Sequence, residues 1–229
     1  MTASITKVIP TPQNRVPEWK PATWEDYKAC RDDTTTERDR LFFHENRLLV
    51  IDMTSEGINH ASVSDLFTML FILWFSQKPE QIFCSLGRCL LEKAPLRAGA
   101  PDLVLYLGEE YPRWKPGEPR RIDLNRWRVP NLVGEISDTT LATDLDEKKE
   151  LYAKMQIPEY WVIDVRGLRA IAFQLQSNDK YKECDRSLAL EGLPIALLEQ
   201  TLARLTEGTN GSAAIWFSQQ IATLKAEEI

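Results

Sequence analysis

Apolar residues recur along the chain at helical spacing in several segments, and the longest of these predicts a buried helix. It lies in residues 59–77, where the apolar positions follow the three- and four-residue spacing of one helix face: Val63, Leu66, Phe67, Leu70, Phe71 and Trp74. A shorter helix is predicted in "ATWEDYKACRDD", because Thr23 can cap its start and Asp26 stands three residues later. Near the C-terminus, "IALLEQTLARLTEG" and "AAIWFSQQIATLKAEE" predict two further helices.

Short apolar runs bounded by turn residues predict the strands. The segment "RLFFHENRLLVIDM" is typical of a hairpin, with two apolar runs on either side of residues 44–46. A second hairpin is predicted in "EYWVIDVRGLRAIAFQL", with its turn at Arg166 and Gly167. Single strands are predicted in "APDLVLYLG" and "NLVGEIS", and "QIFCSLGRCLLEK" is also strand-like.

Length and composition suit a single globular domain. The chain has 229 residues, of which 43% are hydrophobic, which is enough for one ordinary core. Residues 1–22 are rich in proline and polar residues and predict a flexible N-terminal arm, so that residues 23–229 form the domain. No uninterrupted apolar run reaches the roughly 18 to 20 residues of a membrane span, and the first residues lack the apolar stretch of a secretory signal. We therefore expect a cytoplasmic protein that does not enter a membrane.

The net charge and the numbers of cysteines and histidines argue against some classes of function. Four cysteines without recognisable spacing and two histidines argue against a zinc site. The formal net charge of −6 argues against a uniformly basic protein, although a local basic surface remains compatible with it. Such a surface is predicted in the connector of residues 111–130, which carries six basic residues: Arg113, Lys115, Arg120, Arg121, Arg126 and Arg128. An ordinary solvated loop with ion pairs explains the same pattern equally well.

Two predicted strands carry one acid each near an end. Asp102 follows Pro101 at the start of one strand, and Glu135 lies in the other. Neighbouring strands are about 5 Å apart, so the two carboxylates would converge if these strands pair. Converging carboxylates repel each other unless a cation lies between them. Mg²⁺ prefers such hard oxygen ligands, and the pattern therefore suggests a magnesium site.

The segment "DLDEKKELYAKMQ" is predicted to be a helix that brings a lysine to these acids. Its apolar face is formed by Leu145, Leu151, Tyr152 and Met155. Lys148 falls near the middle of that face, whereas Lys149 lies to its side. An ammonium group buried without a partner costs several kcal/mol, and Glu135 is the nearest candidate partner along the chain. A lysine that extends to the edge of the face fits the spacing too. Asp144 is interpreted as the helix cap, with Glu147 three residues later.

The segments "APDLVLYL", "PNLVGEIS" and "DEKKELYAKMQIPEYWVID" resemble, in this order, the Uma group of endonucleases in the PD-(D/E)XK superfamily. The resemblance covers residues 23–195 loosely and residues 100–165 closely. Its specific part is the EYW segment together with the preceding lysine and tyrosine, since a proline–aspartate pair alone is common. The resemblance implies a restriction-endonuclease-like fold of the mixed α/β (α+β) class, with a central mixed β-sheet flanked by helices.

The resemblance also implies roles for individual residues. Asp102 and Glu135 would bind Mg²⁺, with Mn²⁺ as a substitute. Lys148 would be the catalytic lysine of the motif, moved onto the helix, because Ser137 stands at the usual lysine position two residues after the acid. His60 matches a histidine at the start of the long helix, and Glu56 is a possible third acid. For both of these, a structural or capping role is equally compatible with the sequence.

The activity implied is Mg²⁺-dependent hydrolysis of DNA by an endonuclease without an organic cofactor. A homodimer is expected, because a twofold pair of active sites matches the two strands of a duplex. One alternative is a catalytically silent nuclease-fold protein that binds nucleic acid or has a regulatory role. A glycosidase using two carboxylates is less favoured, because a buried lysine has no role in that reaction.

Overall fold

A computed structural model describes residues 17–33, 39–52 and 57–227. Within these ranges the chain forms six helices and twelve strands. The helices are α1 (Trp24–Asp32), α2 (Ile58–Ser76), α3 (Leu141–Leu145), α4 (Glu147–Lys154), α5 (Ile195–Glu207) and α6 (Asn210–Glu227). The strands are β1 (Lys20–Pro21), β2 (Arg40–His44), β3 (Arg47–Ile51), β4 (Phe83–Ser85), β5 (Leu91–Lys93), β6 (Arg97–Gly99), β7 (Leu103–Leu107), β8 (Ile122–Asp123), β9 (Leu132–Ser137), β10 (Glu159–Asp164), β11 (Arg169–Leu175) and β12 (Tyr181–Cys184).

The strands form two mixed sheets of six strands each. The first has the order β1-β3-β2-β6-β5-β8, and the second has the order β12-β11-β10-β9-β7-β4. In the second sheet β9 and β10 run parallel, while the other neighbours run antiparallel. The predicted mixed α/β class with flanking helices is confirmed, and the strands are divided between two sheets.

Helix α2 covers one face of the second sheet. Phe67 and Phe71 of α2 contact Trp161 of β10, with ring centroids 6.2 and 6.1 Å apart. Helix α6 packs against α2 and α5, and its Phe217 is fully buried. Among the described residues, α2 is the one helix long and apolar enough to cross a membrane by length and composition. Because its aromatic residues pack on the sheet, α2 is a core helix in this structure.

Helix α4 lies where the two sheets meet, on the other face of the second sheet. One buried cluster contains residues of α4, the first sheet and the second sheet: Leu151, Tyr152 and Met155 from α4, Phe42 and Leu49 from the first sheet, and Val104, Val133 and Tyr160 from the second. Gly99 of β6 permits close packing, because a Cβ there would lie 3.2 Å from Leu151 Cδ2. Helix α4 therefore places its buried face between β2 and β9.

Several local predictions are confirmed. The capping box of α1 is present, since Asp26 N donates to Thr23 Oγ1 at 3.2 Å and Thr23 N donates to the Asp26 carboxylate at 2.7 Å. The first hairpin joins β2 to β3 through Glu45 and Asn46, whose φ angles of 49° and 56° are left-handed. The second hairpin joins β10 to β11, and its turn lies where the sequence predicts it.

The segment after β9 differs from its prediction. Instead of one helix capped by Asp144, the chain forms α3 and then α4, and Asp144 lies within α3. Residues 17–22 of the predicted arm pack against the domain. Strand β1 pairs with β3, and Trp19 Nε1 donates to Thr143 Oγ1 at 2.8 Å. Residues 1–16 of that arm lie outside the described residues.

Candidate active site

The two predicted acids meet because β7 and β9 are antiparallel neighbours. Leu103 of β7 pairs with Gly134 of β9, so Asp102 and Glu135 extend this register by one position. Gly134 allows close packing between these strands, since a Cβ there would lie 3.1 Å from Leu103 Cδ1. Both carboxylate residues are buried, with 2% exposure for Asp102 and 1% for Glu135. The convergence predicted from the strand ends is therefore present.

The cation between these acids is Arg40, a residue that the sequence analysis missed. Its Nη1 lies 2.7 Å from Asp102 Oδ1, and its Nη2 lies 3.1 Å from Glu135 Oε2. Arg40 Nε also donates to the carbonyl oxygen of Ala100 at 2.8 Å. The guanidinium is buried together with the two carboxylates. It consequently offsets the repulsion between the two acids, which is the role predicted from the sequence for Mg²⁺.

Lys148 points inward from α4, as predicted. Its Nζ lies 3.1 Å from Glu135 Oε2 and 2.8 Å from Asp144 Oδ1. The same atom lies 4.1 Å from the ring centroid of Phe42, which covers it from the first sheet. Lys149 points elsewhere, toward the ring of Phe173. The helical period therefore identified the buried lysine and one of its two anionic partners.

Asp144 is part of the buried cluster, and its interpretation as a helix cap is wrong. Asp144 is fully buried, and its Oδ2 accepts hydrogen bonds from Ser137 Oγ at 2.5 Å and Thr140 Oγ1 at 2.6 Å. The position three residues before Glu147 resembled a capping pattern, but the helix that contains Lys148 begins only at Glu147. Asp144 is therefore the second anionic partner of Lys148, and Ser137 holds Asp144 in place.

Three further groups surround the acids. Tyr152 of α4 donates its hydroxyl to Glu135 Oε1 at 2.5 Å, so that both oxygens of this carboxylate have partners. The backbone N–H of Ile136 donates to Asp102 Oδ2 at 2.8 Å. His60 of α2 places its Nε2 3.2 Å from Asp102 Oδ1, so this predicted residue belongs to the site. Glu56 lies outside the described residues.

Burial and neighbouring charges shift the pKa values of the two acids in opposite directions. Burial alone would raise the pKa of Asp102, but Arg40, His60 and the Ile136 N–H outweigh it and hold this pKa well below its usual range. Burial raises the pKa of Glu135 to about 7, against the opposing effects of Lys148 and Arg40. Asp102 is therefore ionised at neutral pH, whereas Glu135 titrates there.

Lys148 remains protonated in this environment. Burial alone would lower its pKa, but the carboxylates of Asp144 and Glu135 raise it above its usual value. A cavity of about 140 Å³ opens onto the cluster. Its wall includes the site residues Arg40, His60, Asp102, Glu135 and Lys148, together with residues 138–140 of the loop that follows β9.

The basic residues of the connector fall into two groups. Three are engaged within the protein. Arg128 donates to Glu110 O at 2.6 Å and to Asn131 Oδ1 at 2.9 Å, and Arg126 and Arg121 form ion pairs of 2.7 and 2.9 Å with acidic residues. The other three, Arg113, Lys115 and Arg120, are exposed, although Arg113 also donates to the hydroxyl of Tyr111 at 2.9 Å. Beside them lies a cavity of about 570 Å³, whose lining includes the exposed Trp114.

Comparisons with known proteins identify a family and a similar fold. The sequence model of a family described as "Uma2: Putative restriction endonuclease" matches residues 24–207. No curated protein matches the chain. Among solved structures, the chain is similar to "a putative nuclease belonging to DUF820 from Anabaena variabilis", with 18% identity and a TM-score of 0.55. The match covers 80% of this chain and 99% of the other, and at this identity it shows a shared fold.

Proposed function

The chain belongs to the Uma2 family, and we propose that it is a metal-dependent endonuclease that hydrolyses phosphodiester bonds of DNA. The observation that carries this proposal is the buried cluster of Asp102, Glu135 and Lys148. Asp102 directly precedes β7, Glu135 lies in β9 and Lys148 lies in α4, and the three meet at one small cavity. The family description supports a nuclease in general, while the cluster supports the metal-assisted route.

Asp102 and Glu135 are suitable ligands for Mg²⁺, with Mn²⁺ as a substitute, because both offer hard carboxylate oxygens. Their oxygens already converge on a single positive group, the guanidinium of Arg40. The donor set therefore fits a divalent cation if Arg40 gives up these contacts. When bound, the ion would polarise the scissile phosphate and lower the pKa of a bound water.

The other residues would act on the substrate and on each other. Lys148 remains protonated, so it is suited to stabilise negative charge on the phosphate oxygens and to orient the attacking water, and it is unsuited to accept a proton. Asp144 is a positioning residue, because it holds the Lys148 ammonium at 2.8 Å without lining the cavity. Tyr152 positions Glu135 in the same way.

DNA is the proposed substrate, and the exposed basic side chains of the connector are the proposed phosphate contacts. Arg113, Lys115 and Arg120 are exposed beside Trp114. Exposed cations of this kind bind the phosphate backbone without reading the base sequence. A homodimer would present two active sites to the two strands of a duplex.

One observation favours a second candidate function. The Arg40 guanidinium lies between the two carboxylates and forms an ion pair with each of them. If it retains these contacts in the presence of a divalent cation, the protein would bind nucleic acid without cutting it. Such a protein would be a binding or regulatory module with a nuclease fold.

Cleavage of supercoiled plasmid in Mg²⁺ or Mn²⁺ tests the proposal. We expect the wild-type protein to nick the plasmid, and Asp102→Asn, Glu135→Gln and Lys148→Met to lose about a hundredfold or more of the rate. Lys149→Met is the matched control, because its ammonium points away from the site. Circular dichroism would establish that each variant is folded.

A folded wild-type protein that leaves plasmid, single-stranded DNA and RNA intact with both metals would contradict the proposal. Retention of plasmid on a gel without cleavage, unchanged in Lys148→Met, would support the binding module instead.

A further inference from the structure

A second group of side chains that could bind a metal ion lies at the C-terminal end of β2. His44 is the last residue of this strand and is 1% exposed. Neither of its ring nitrogens, Nδ1 or Nε2, has a hydrogen-bond partner within the described part of the chain. A neutral imidazole carries one donor and one acceptor, and leaving both buried without partners is unfavourable. A buried polar group of this kind indicates a missing ligand, either water or an ion.

Two carboxylates lie beside the ring. Glu45 is in the hairpin turn after β2, and Glu150 is on α4. One ligand atom from each of His44, Glu45 and Glu150 lies within 4.8 Å of the other two. Both glutamates are exposed, so the group is open to solvent on one side and an ion has a route of entry. The orphaned imidazole therefore faces acids that can move by side-chain rotation.

We propose that His44, Glu45 and Glu150 bind a first-row divalent transition-metal ion of the Zn²⁺ type. Imidazole nitrogen and carboxylate oxygen together suit such ions, whereas Mg²⁺ prefers oxygen ligands alone. Three protein ligands plus one water complete a tetrahedral shell around Zn²⁺. The low histidine and cysteine counts argued against zinc in the sequence, but the fold brings one histidine to two acids, one of them about a hundred residues away in the chain.

The electrostatic environment keeps His44 in the form that binds metals. Burial lowers the pKa of His44, and Arg97 and Arg47 lower it too, against the opposing effects of Glu45 and Glu150. The imidazole is consequently neutral at pH 7, and a neutral ring has a free lone pair for a metal.

This site is separate from the candidate active site, but both sites use residues of β2 and α4. Arg40 and His44 are at opposite ends of β2, four residues apart, which corresponds to about 13 Å at the usual rise of a strand. Phe42 lies between them and packs on Lys148. A metal held by His44 and Glu150 would join the hairpin turn to α4, the helix that carries Lys148 and Tyr152. Its role would be structural.

Zn²⁺ titration of the full chain by calorimetry tests the proposal. The variants are Glu45→Gln and Glu150→Gln, which change exposed side chains and leave the core intact. Glu183→Gln on β12 is the control, because it removes an exposed carboxylate that does not belong to the cluster. We expect the two cluster variants to bind one Zn²⁺ fewer than wild type, or to bind it at least about tenfold more weakly. The control should match wild type.

Two further readouts separate this site from the catalytic one. Zn²⁺ should raise the melting temperature of wild type and control more than that of Glu45→Gln or Glu150→Gln. The difference between wild type and Glu150→Gln in this melting-temperature rise should persist when both carry Asp102→Asn, since that substitution affects the other cluster. Co²⁺ should give a visible absorption band that is weakened in His44→Asn.

Equal Zn²⁺ stoichiometry and affinity in wild type, Glu45→Gln, Glu150→Gln and the control would overturn the proposal. If His44→Asn fails to fold, the two exposed glutamate variants still decide the outcome.

Discussion

Arg40 and Lys148 are the two buried cations that hold three buried carboxylates together. Arg40 bridges Asp102 and Glu135, while Lys148 bridges Glu135 and Asp144. Glu135 is the common partner, which explains why its pKa responds to both cations. Because removal of one member leaves a buried charge without compensation, single substitutions here should affect stability and metal binding together.

Arg40→Met is expected to destabilise the metal-free protein and to strengthen its binding of Mn²⁺. The free energy of unfolding should fall by about 3 to 5 kcal/mol, because Asp102 and Glu135 lose their shared cation. Mn²⁺ binding should strengthen because a divalent cation no longer competes with a guanidinium for the same oxygens. Urea unfolding and calorimetric Mn²⁺ titration measure the two effects. Arg204→Met is the control, because its ion pair with Glu207 is exposed and contributes at most about 1 kcal/mol.

Unchanged or weaker Mn²⁺ binding in a folded Arg40→Met protein would show that Arg40 and the metal do not compete for these oxygens.

The pH dependence of metal binding should follow Glu135. Its pKa is raised from 4.5 to about 7, so between these values the folded state binds more protons than the unfolded state. This group's contribution to stability therefore falls as pH rises through that window. A metal requires the ionised carboxylate, so Mn²⁺ affinity should rise as pH increases through about 7. Calorimetric titrations over a series of pH values measure this, and an affinity independent of pH around neutrality would refute it.

At the scale of elements, the sequence shows which face of a helix or strand is buried but not what covers that face. The period of α4 identified Lys148, and the ends of β7 and β9 identified Asp102 and Glu135. Arg40 was not predicted as a site residue, because it begins an apolar run in the other sheet, 95 residues before Glu135. Asp144 was misassigned because its spacing fits a helix cap, and only the fold brings it to Lys148.

The alternation along β2 was the available signal for Arg40. Arg40, Phe42 and His44 share one face of the strand, since alternate residues point to the same side. A face with two potentially charged residues around a phenylalanine is unusual for a buried strand, and both belong to clusters in the structure. The partners of that face, α4 and the second sheet, are set by long-range packing that no local period encodes.

Gly134 of β9 packs closely against Leu103 of β7. Gly134→Ala should destabilise the protein by about 1 to 3 kcal/mol, because the new Cβ would crowd Leu103 at 3.1 Å. Gly211→Ala is the control, since a Cβ there meets only Thr209 Oγ1 at 3.8 Å and lies within α6. Its stability should be unchanged or slightly higher. Thermal unfolding of the two variants measures this difference. An equal effect of both substitutions would show that β7 and β9 are not tightly packed at Gly134.

At the scale of the whole molecule, the candidate active site lies where the two sheets meet around α4. Arg40 comes from the first sheet, the two acids come from the second, and Lys148 comes from the helix between them. The connector of residues 111–130 leaves β7, contributes β8 to the first sheet, and returns to β9. The proposed phosphate-binding side chains are therefore carried by the segment that links the two acid-bearing strands.

Binding of DNA should depend on the exposed basic residues of this connector. In the Asp102→Asn background, in which we expect no cleavage, Arg113→Gln and Arg120→Gln should each weaken binding and reduce the salt dependence by about one phosphate contact. Arg204→Gln on α5 is the control and should bind like the parent. Fluorescence anisotropy over a series of salt concentrations measures the slopes. Slopes identical to the parent in both connector variants would exclude this surface as the DNA contact.

The most direct measurement is anomalous diffraction from a crystal soaked in Mn²⁺. We predict an anomalous peak bound by Asp102 and Glu135, with the Arg40 guanidinium moved away from at least one of them and Lys148 still directed inward. Crystals in which Mn²⁺ occupies other positions while Arg40 keeps its contacts to both carboxylates would contradict this prediction.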